Sequence, residues 1–212
     1  SWGSAYASIF STGNSSESIF ELTFNKENQN MLSNSAVNTL FGNPESVVGF
    51  AKPADFISED GKDNSAYKVF TNRYDARGYE FRNNLGSLTG VSKFVLRGQT
   101  ISTANTEPEL LTRGAMYAKD KNKSNWIIYR LTDIMLLKAE ALLEMMTPGA
   151  VVDLTEEQNE QNESLLKQAF TLVNAINKRS ICQNTLKDTL VYTDYNSKTL
   201  MSELVMLERQ RE

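Results

Sequence analysis

The chain has 212 residues, 40% of them apolar and 23% charged, which is a globular composition on a length that fits one or two domains. Its 22 Lys and Arg stand against 26 Asp and Glu, giving a net charge of −4 and a pI of about 5.1. That balance lacks the basic surplus with which a dedicated nucleic-acid binder neutralises phosphates. There is no histidine, so catalytic triads, imidazole acid/base chemistry and the usual zinc and iron sites are excluded in their standard forms. The lone Cys182 can form neither an intrachain disulfide nor a CxxC site and reads as an incidental thiol. No stretch approaches the roughly 20 apolar residues of a membrane span, and Ser1 to Phe10 lacks the pattern of a signal peptide. Because the first residue is not Met, the chain is read as a piece of a longer protein.

Two regimes meet near residue 125. Residues 1–125 are rich in serine, asparagine, glycine and aromatics in short runs; they read as a loop-rich irregular region with a few strands and as the candidate ligand-binding surface. Ser18 to Phe24 alternates, with Phe20, Leu22 and Phe24 on one face of a half-buried strand. Val47 to Phe50 and Tyr67 to Thr71 are shorter β-prone pieces, and Ser92 to Ile101 is a second alternating run. The connectors Gly42-Asn43-Pro44 and Glu59 to Asn64 have turn chemistry.

Residues 126–212 read as a helical scaffold region. Trp126 to Tyr129 is a short β-prone run, and Thr132 is a candidate N-cap for a helix reaching about Met146. Ile134, Leu137, Lys138, Ala141, Leu142 and Met145 recur there at helical spacing, and Pro148-Gly149 stops the run. A polar connector, Asp153 to Glu163, carries a capping-box pattern at Thr155 and Gln158. A second helix is expected over about 164–178, with Leu165, Leu166, Ala169, Phe170, Val173 and Ile176 on its apolar face. The two form an antiparallel hairpin. A third helix starts near Ser197 with Leu200, Met201, Leu204, Val205 and Leu207, and runs uncapped into Glu212.

Little in the chain carries catalytic chemistry. Glu59, Asp60 and Asp63 sit in a hydrophilic turn, where solvated charge is the default, and the ordered ligands of an EF-hand are missing. No GxGxxG or GKS/GKT run supports nucleotide binding. The Asn-x-Ser sequons at Asn14, Asn122 and Asn162 carry no weight in a chain crowded with both residues. Lys138, Glu140 and Glu144 read as a solvated face. The better lead is aromatic: Phe70, Tyr74, Tyr79 and Phe81 are interleaved with Arg73, Asp75, Arg77 and Arg82. Sugars are held this way, with a ring against the apolar C–H face and planar polar groups on the hydroxyls. Phe70 and Phe81 are assigned to strand packing, leaving Tyr74, Asp75, Arg77 and Tyr79 as the candidate substrate-binding set.

Four blocks occur in order: Glu17-Ser18-Ile19-Phe20-Glu21-Leu22-Thr23-Phe24; Tyr129-Arg130-Leu131-Thr132-Asp133 continuing through Ala139-Glu140-Ala141-Leu142; Val173-Asn174-Ala175-Ile176-Asn177-Lys178-Arg179-Ser180; and Leu207-Glu208-Arg209-Gln210-Arg211-Glu212. Together they resemble the SusD/RagB family, the surface glycan-binding lipoproteins of Bacteroidetes. The resemblance implies a mainly α fold of tetratricopeptide-like helix pairs with an irregular region laid upon it. It implies a non-enzymatic protein without cofactor or metal that binds oligosaccharides, or in some members peptides. Its partner would be a SusC-type TonB-dependent transporter of the outer membrane. On this reading the chain is the later part of the receptor, the family's lipidated cysteine and first helices precede it, and membrane association runs only through that anchor. The four blocks are expected to be structural, and no ligand residue transfers by motif. The alternative is a helical-repeat protein-interaction module without a glycan site; a glycosidase has only unremarkable acidic pairs behind it.

Overall fold

The computed structural model describes residues 9–10, 13–23, 40, 69–70, 72, 75–77, 100–102, 109–112, 125–181 and 190–212. The expected pieces Val47 to Phe50 and Phe81, the acidic turn at 59–63 and Cys182 lie outside them. The chain divides into two compact units, Ser1–Arg130 and Leu131–Glu212.

In the first unit, β1 (Ser18–Leu22) pairs antiparallel with β4 (Trp126–Arg130), while β2 (Thr100–Ser102) pairs antiparallel with β3 (Glu109–Thr112). Of the expected run Ser92 to Ile101, only its last two residues fall in described strand. Val69 and Phe70 are buried outside any strand.

The β1 expectation needs correction. Phe20 and Leu22 do not share a buried face: Ile19 is 55% exposed and Phe20 51%. The register shifts on both sides of Phe20, and such irregularities break the two-residue alternation from which a buried face is read. Phe20 instead meets Tyr129 across the ladder, ring centroids 6.5 Å apart.

What fixes this ladder is the half-buried Glu21. Its Oε1 accepts the Asn14 backbone N–H at 2.6 Å and Asn125 Nδ2 at 2.7 Å, and its Oε2 accepts the Ser18 hydroxyl at 2.9 Å. Gly13 and Asn14 turn the chain toward it at φ +73° and +49°, a backbone region that Gly and Asn enter most readily. Ile9, Phe10 and Ala76 form a small core with Ile127 against it, and the Arg130 guanidinium stands 5.0 Å from the Phe10 ring centre.

The second unit is helical. It holds α1 (Leu131–Glu144), α2 (Glu156–Ser180) and α3 (Lys198–Arg211), each packed on the other two. Arg179, at the end of α2, reaches Thr132 at the start of α1, so these two helices are antiparallel. Lys198, opening α3, meets Glu144 at the end of α1, and Arg209 meets Glu140; α3 therefore runs against α1. The described residues are mainly α with short two-stranded pairings, as expected.

The core comes from all three helices: Leu136, Ala139, Leu142 and Leu143; Leu165, Leu166, Ala169, Val173 and Ile176; Met201, Leu204 and Val205. Ala139 and Ala169 have no exposed surface. Each large apolar side chain buried here contributes about 1.5–3 kcal/mol.

The expected α2 face is the observed one, with Phe170 only partly buried. On α1 the outcome differs in part: Leu142 is buried as expected, but Ile134, Leu137 and Met145 are exposed, and Leu136, Ala139 and Leu143 complete the core face. α1 is apolar around most of its circumference, so spacing alone did not select which stripe turns inward. Thr132 is not a cap either. β4 passes directly into α1 at Leu131, and Thr132 lies buried in the first turn with its hydroxyl taking Arg179 Nη1 at 3.4 Å.

Helix α2 begins at Glu156, well before the expected start at 164. Thr155 and Gln158 form a reciprocal capping box, at 3.2 and 2.9 Å. The acidic residues after it occupy the first turns, where the helix dipole favours them. The connector is therefore 145–155, largely apolar, and the polar run from Glu156 belongs to the helix. Ser197 caps α3, its hydroxyl accepting the Leu200 N–H at 3.3 Å.

Candidate functional site

Of the four residues chosen for sugar binding, Tyr74 and Tyr79 lie outside the described residues. Asp75 and Arg77 lie in the first unit as a closed pair. Arg77 donates its backbone N–H and Nε to Asp75 Oδ1 at 3.0 and 2.9 Å, and Nη2 to Oδ2 at 2.6 Å. This is the bidentate fork that guanidinium geometry favours. Asp75 is 3% and Arg77 1% exposed, so each charge is met by the other and little surface of either reaches solvent. The Asp75 N–H donates to the Asn72 carbonyl at 3.0 Å, closing the turn that presents the pair.

The helical unit has two chemically different ends. At one, α1 begins while α2 and α3 finish. The C-terminal turns carry Lys178, Arg179, Arg209 and Arg211, the signs that offset the negative ends of their helix dipoles. Fully buried Glu208 Oε1 accepts Arg211 Nη1 at 2.6 Å and Asn177 Nδ2 at 3.0 Å. Arg179 Nη2 pairs with Glu212 at 2.6 Å, and Arg209 with Glu140 at 2.7 Å. Three of the four ordered sequence blocks thus meet here, and their polar residues fasten helices to one another. Glu140 and Glu144, expected as a solvated face, join this work: Glu140 holds Arg209, and exposed Glu144 holds Lys198 at 3.1 Å.

At the other end α1 finishes while α2 and α3 begin, and a cleft of about 700 Å³ opens. Its floor is apolar, from Met146, Leu154 and Leu166, with exposed Val151 at the rim. One wall is the 3₁₀ turn Tyr192–Tyr195, whose Tyr192 packs edge-on to Phe170 with ring centroids 5.5 Å apart, while Tyr195 stacks on the same ring at 6.4 Å. Burial raises the Tyr192 phenol above its ordinary pKa, and the charge of Glu163 adds to the rise, so the hydroxyl keeps its proton.

The opposite wall is set by the connector. Gly149 has φ +138°, a conformation L side chains rarely adopt, and a Cβ there would come 3.1 Å from Leu154 Cδ2. Asn162 is buried and bridges Thr147, accepting its N–H at 2.8 Å and donating to its carbonyl at 2.9 Å. That use also removes Asn162 from consideration as a glycan acceptor. Asn159 Nδ2 donates to the carbonyls of Val151 and Leu154 at 3.0 and 3.4 Å.

The cleft escaped sequence reasoning because its walls come from three separated segments. A signal was nonetheless present: Tyr192-Thr193-Asp194-Tyr195-Asn196 has the same aromatic/polar interleaving that drew notice around Tyr74. Among the described residues no cluster of Cys, Asp or Glu could hold a metal ion, and no helix is long and apolar enough to cross a membrane.

No curated protein and no solved structure matches the chain. A family model described as the SusD family matches residues 103–212, which includes three of the four ordered blocks and the whole helical unit. With that match over more than half of its length, the chain belongs to the SusD family.

Proposed function

We propose that this chain is the part of a surface receptor that captures oligosaccharides and delivers them to a SusC-type TonB-dependent transporter, with no covalent chemistry. The family match over residues 103–212 carries the reading. The SusD family is one of nutrient-binding, outer-membrane-associated surface lipoproteins, generally non-catalytic, that work with a transporter partner. The lack of histidine in all 212 residues is in keeping with binding and release. In this proposal Tyr74 and Tyr79 supply stacking faces, and the Asp75–Arg77 fork holds the turn between them in sequence.

Shallow sugar sites of this kind bind with dissociation constants of about micromolar to millimolar. Calorimetric titration of the protein against a panel of neutral and acidic oligosaccharides tests the reading. Binding to at least one glycan, weakened by Tyr74→Ala or Tyr79→Ala, is the expected result. Silence across the panel would remove the glycan role, and unchanged binding in both variants would remove the proposed residues.

A second reading, a protein-interaction module, is favoured by the exposed stripe Leu131, Ile134 and Leu137 on α1. It expects no binding across the glycan panel, and Ile134→Glu with Leu137→Glu to abolish pull-down of the transporter. Retained pull-down in that variant would rule it out.

A further inference from the structure

The cleft at the start of α2 and α3 has an unusual charge economy. Both charged groups on its wall are turned to partners: Glu163 to Lys167 at 2.6 Å, and Lys198 to Glu144 at 3.1 Å. Its amides at Asn159 and Asn162 are spent on the connector backbone, and the Ser197 hydroxyl on the α3 cap. The polar side chains left without a partner among the described residues are neutral: the Thr147 and Thr193 hydroxyls, the Asn196 amide and the Tyr192 phenol. They stand around an apolar floor, in a volume within the range of small-molecule sites.

We infer that this cleft is a saccharide subsite of the helical unit, separate from the Tyr74–Tyr79 segment, that takes one or two uncharged pyranose rings. A sugar ring is the neutral ligand class that presents an apolar C–H face on one side and paired hydroxyls at its edge. The floor of Met146, Leu154 and Leu166 receives the first. Thr193, Asn196 and Tyr192 exchange hydrogen bonds with the second, the phenol as donor or acceptor like the threonine hydroxyl. This inference rests on the oligosaccharide reading above.

The test uses the full chain, with neutral trisaccharides (maltotriose, cellotriose, xylotriose) and a glucuronic-acid trisaccharide as probes. Saturation-transfer NMR and calorimetry supply the readout. Thr193 and Asn196 are exposed, so Thr193→Ala with Asn196→Ala should leave the thermal melt unchanged and weaken one neutral trisaccharide about tenfold or more, at about 1.4 kcal/mol per tenfold. Tyr74→Ala with Tyr79→Ala should leave that component intact. The inference is overturned, and the general glycan reading survives, if trisaccharide binding is lost only in the Tyr74/Tyr79 variant. It is also overturned if the acidic probe binds the cleft more tightly than the neutral ones, or if the Thr193/Asn196 variant loses only transporter pull-down, which would make the cleft a protein contact. No trisaccharide binding in any form removes both readings.

Discussion

The two ends of the helical unit solve the problem of three converging helix termini in opposite ways. At the Glu208 end, charge is buried: one carboxylate oxygen takes both an arginine and an asparagine, and flanking salt bridges tie all three helices. At the Asn162 end, charge is sent outward, and neutral amides close the backbone around a cleft. Buried ion pairs are poor sources of net stability but severe when broken, because the surviving partner has no water to turn to. Asn174 Oδ1 and Asn177 Oδ1 are buried without hydrogen-bond partners, so the charged end has not been tuned for stability alone. The contrast teaches that the motif-bearing end specifies how the helices pair, while the neutral end shapes a cleft.

The largest expected effect is at the charged end. Glu208→Ala leaves Arg211 and Asn177 facing each other in the core and should destabilise the chain by about 3–5 kcal/mol in chemical denaturation followed by circular dichroism. Glu208→Leu combined with Arg211→Leu should recover much of that loss. If the double variant is as unstable as the single one, the end works by packing and the contrast collapses.

Asn162→Ala tests the neutral end. It frees the Thr147 N–H and carbonyl and should lower stability by about 1–3 kcal/mol, with faster hydrogen exchange at Thr147 than at Asn177. Equal acceleration at both would mean the two ends open together.

A smaller effect follows from the tyrosines. Burial raises the folded-state pKa of Tyr192 and Tyr195 above the ordinary 10.0. A raised value means the folded state favours the protonated phenol. Its contribution is complete below pH 10 and is lost as pH rises through the shifted values. Between about pH 9 and pH 11, on either side of the ordinary phenol value, melting temperatures should fall less steeply in Tyr192→Phe with Tyr195→Phe than in the parent chain; parallel slopes would show that the phenols do not titrate against folding. The smallest effect belongs to Lys167→Ala, since the exposed Lys167–Glu163 pair should contribute nothing measurable to the melt.

Local chemistry made much of the helical unit legible. The Thr155–Gln158 box depends on residues three apart and stands where the sequence placed it, and the third helix starts at Lys198, next to the expected Ser197. Periodicity did less well where it lacked contrast. The run Glu156 to Gln161 contains no apolar residue, so the first turns of α2 were invisible to it, and α1 has too many apolar residues to betray its inner face. The β1 face was misread because the register shifts on either side of Phe20 arise only when β1 pairs with β4. The SusD resemblance was legible because its blocks are contiguous, and the structural role expected of them is what the Glu208 end displays. The cleft draws on three segments, 146–154, 159–166 and 192–198, of which only the last has a pattern that the sequence displays on its own.

Gly149 carries a consequence for how such a protein can diversify. The cleft's outer wall depends on one backbone angle that a side chain would spoil, whereas the side chains of Thr193, Asn196 and Val151 are spent on no other task. Selection can therefore rewrite those three one at a time without disturbing the frame, provided the glycine stays.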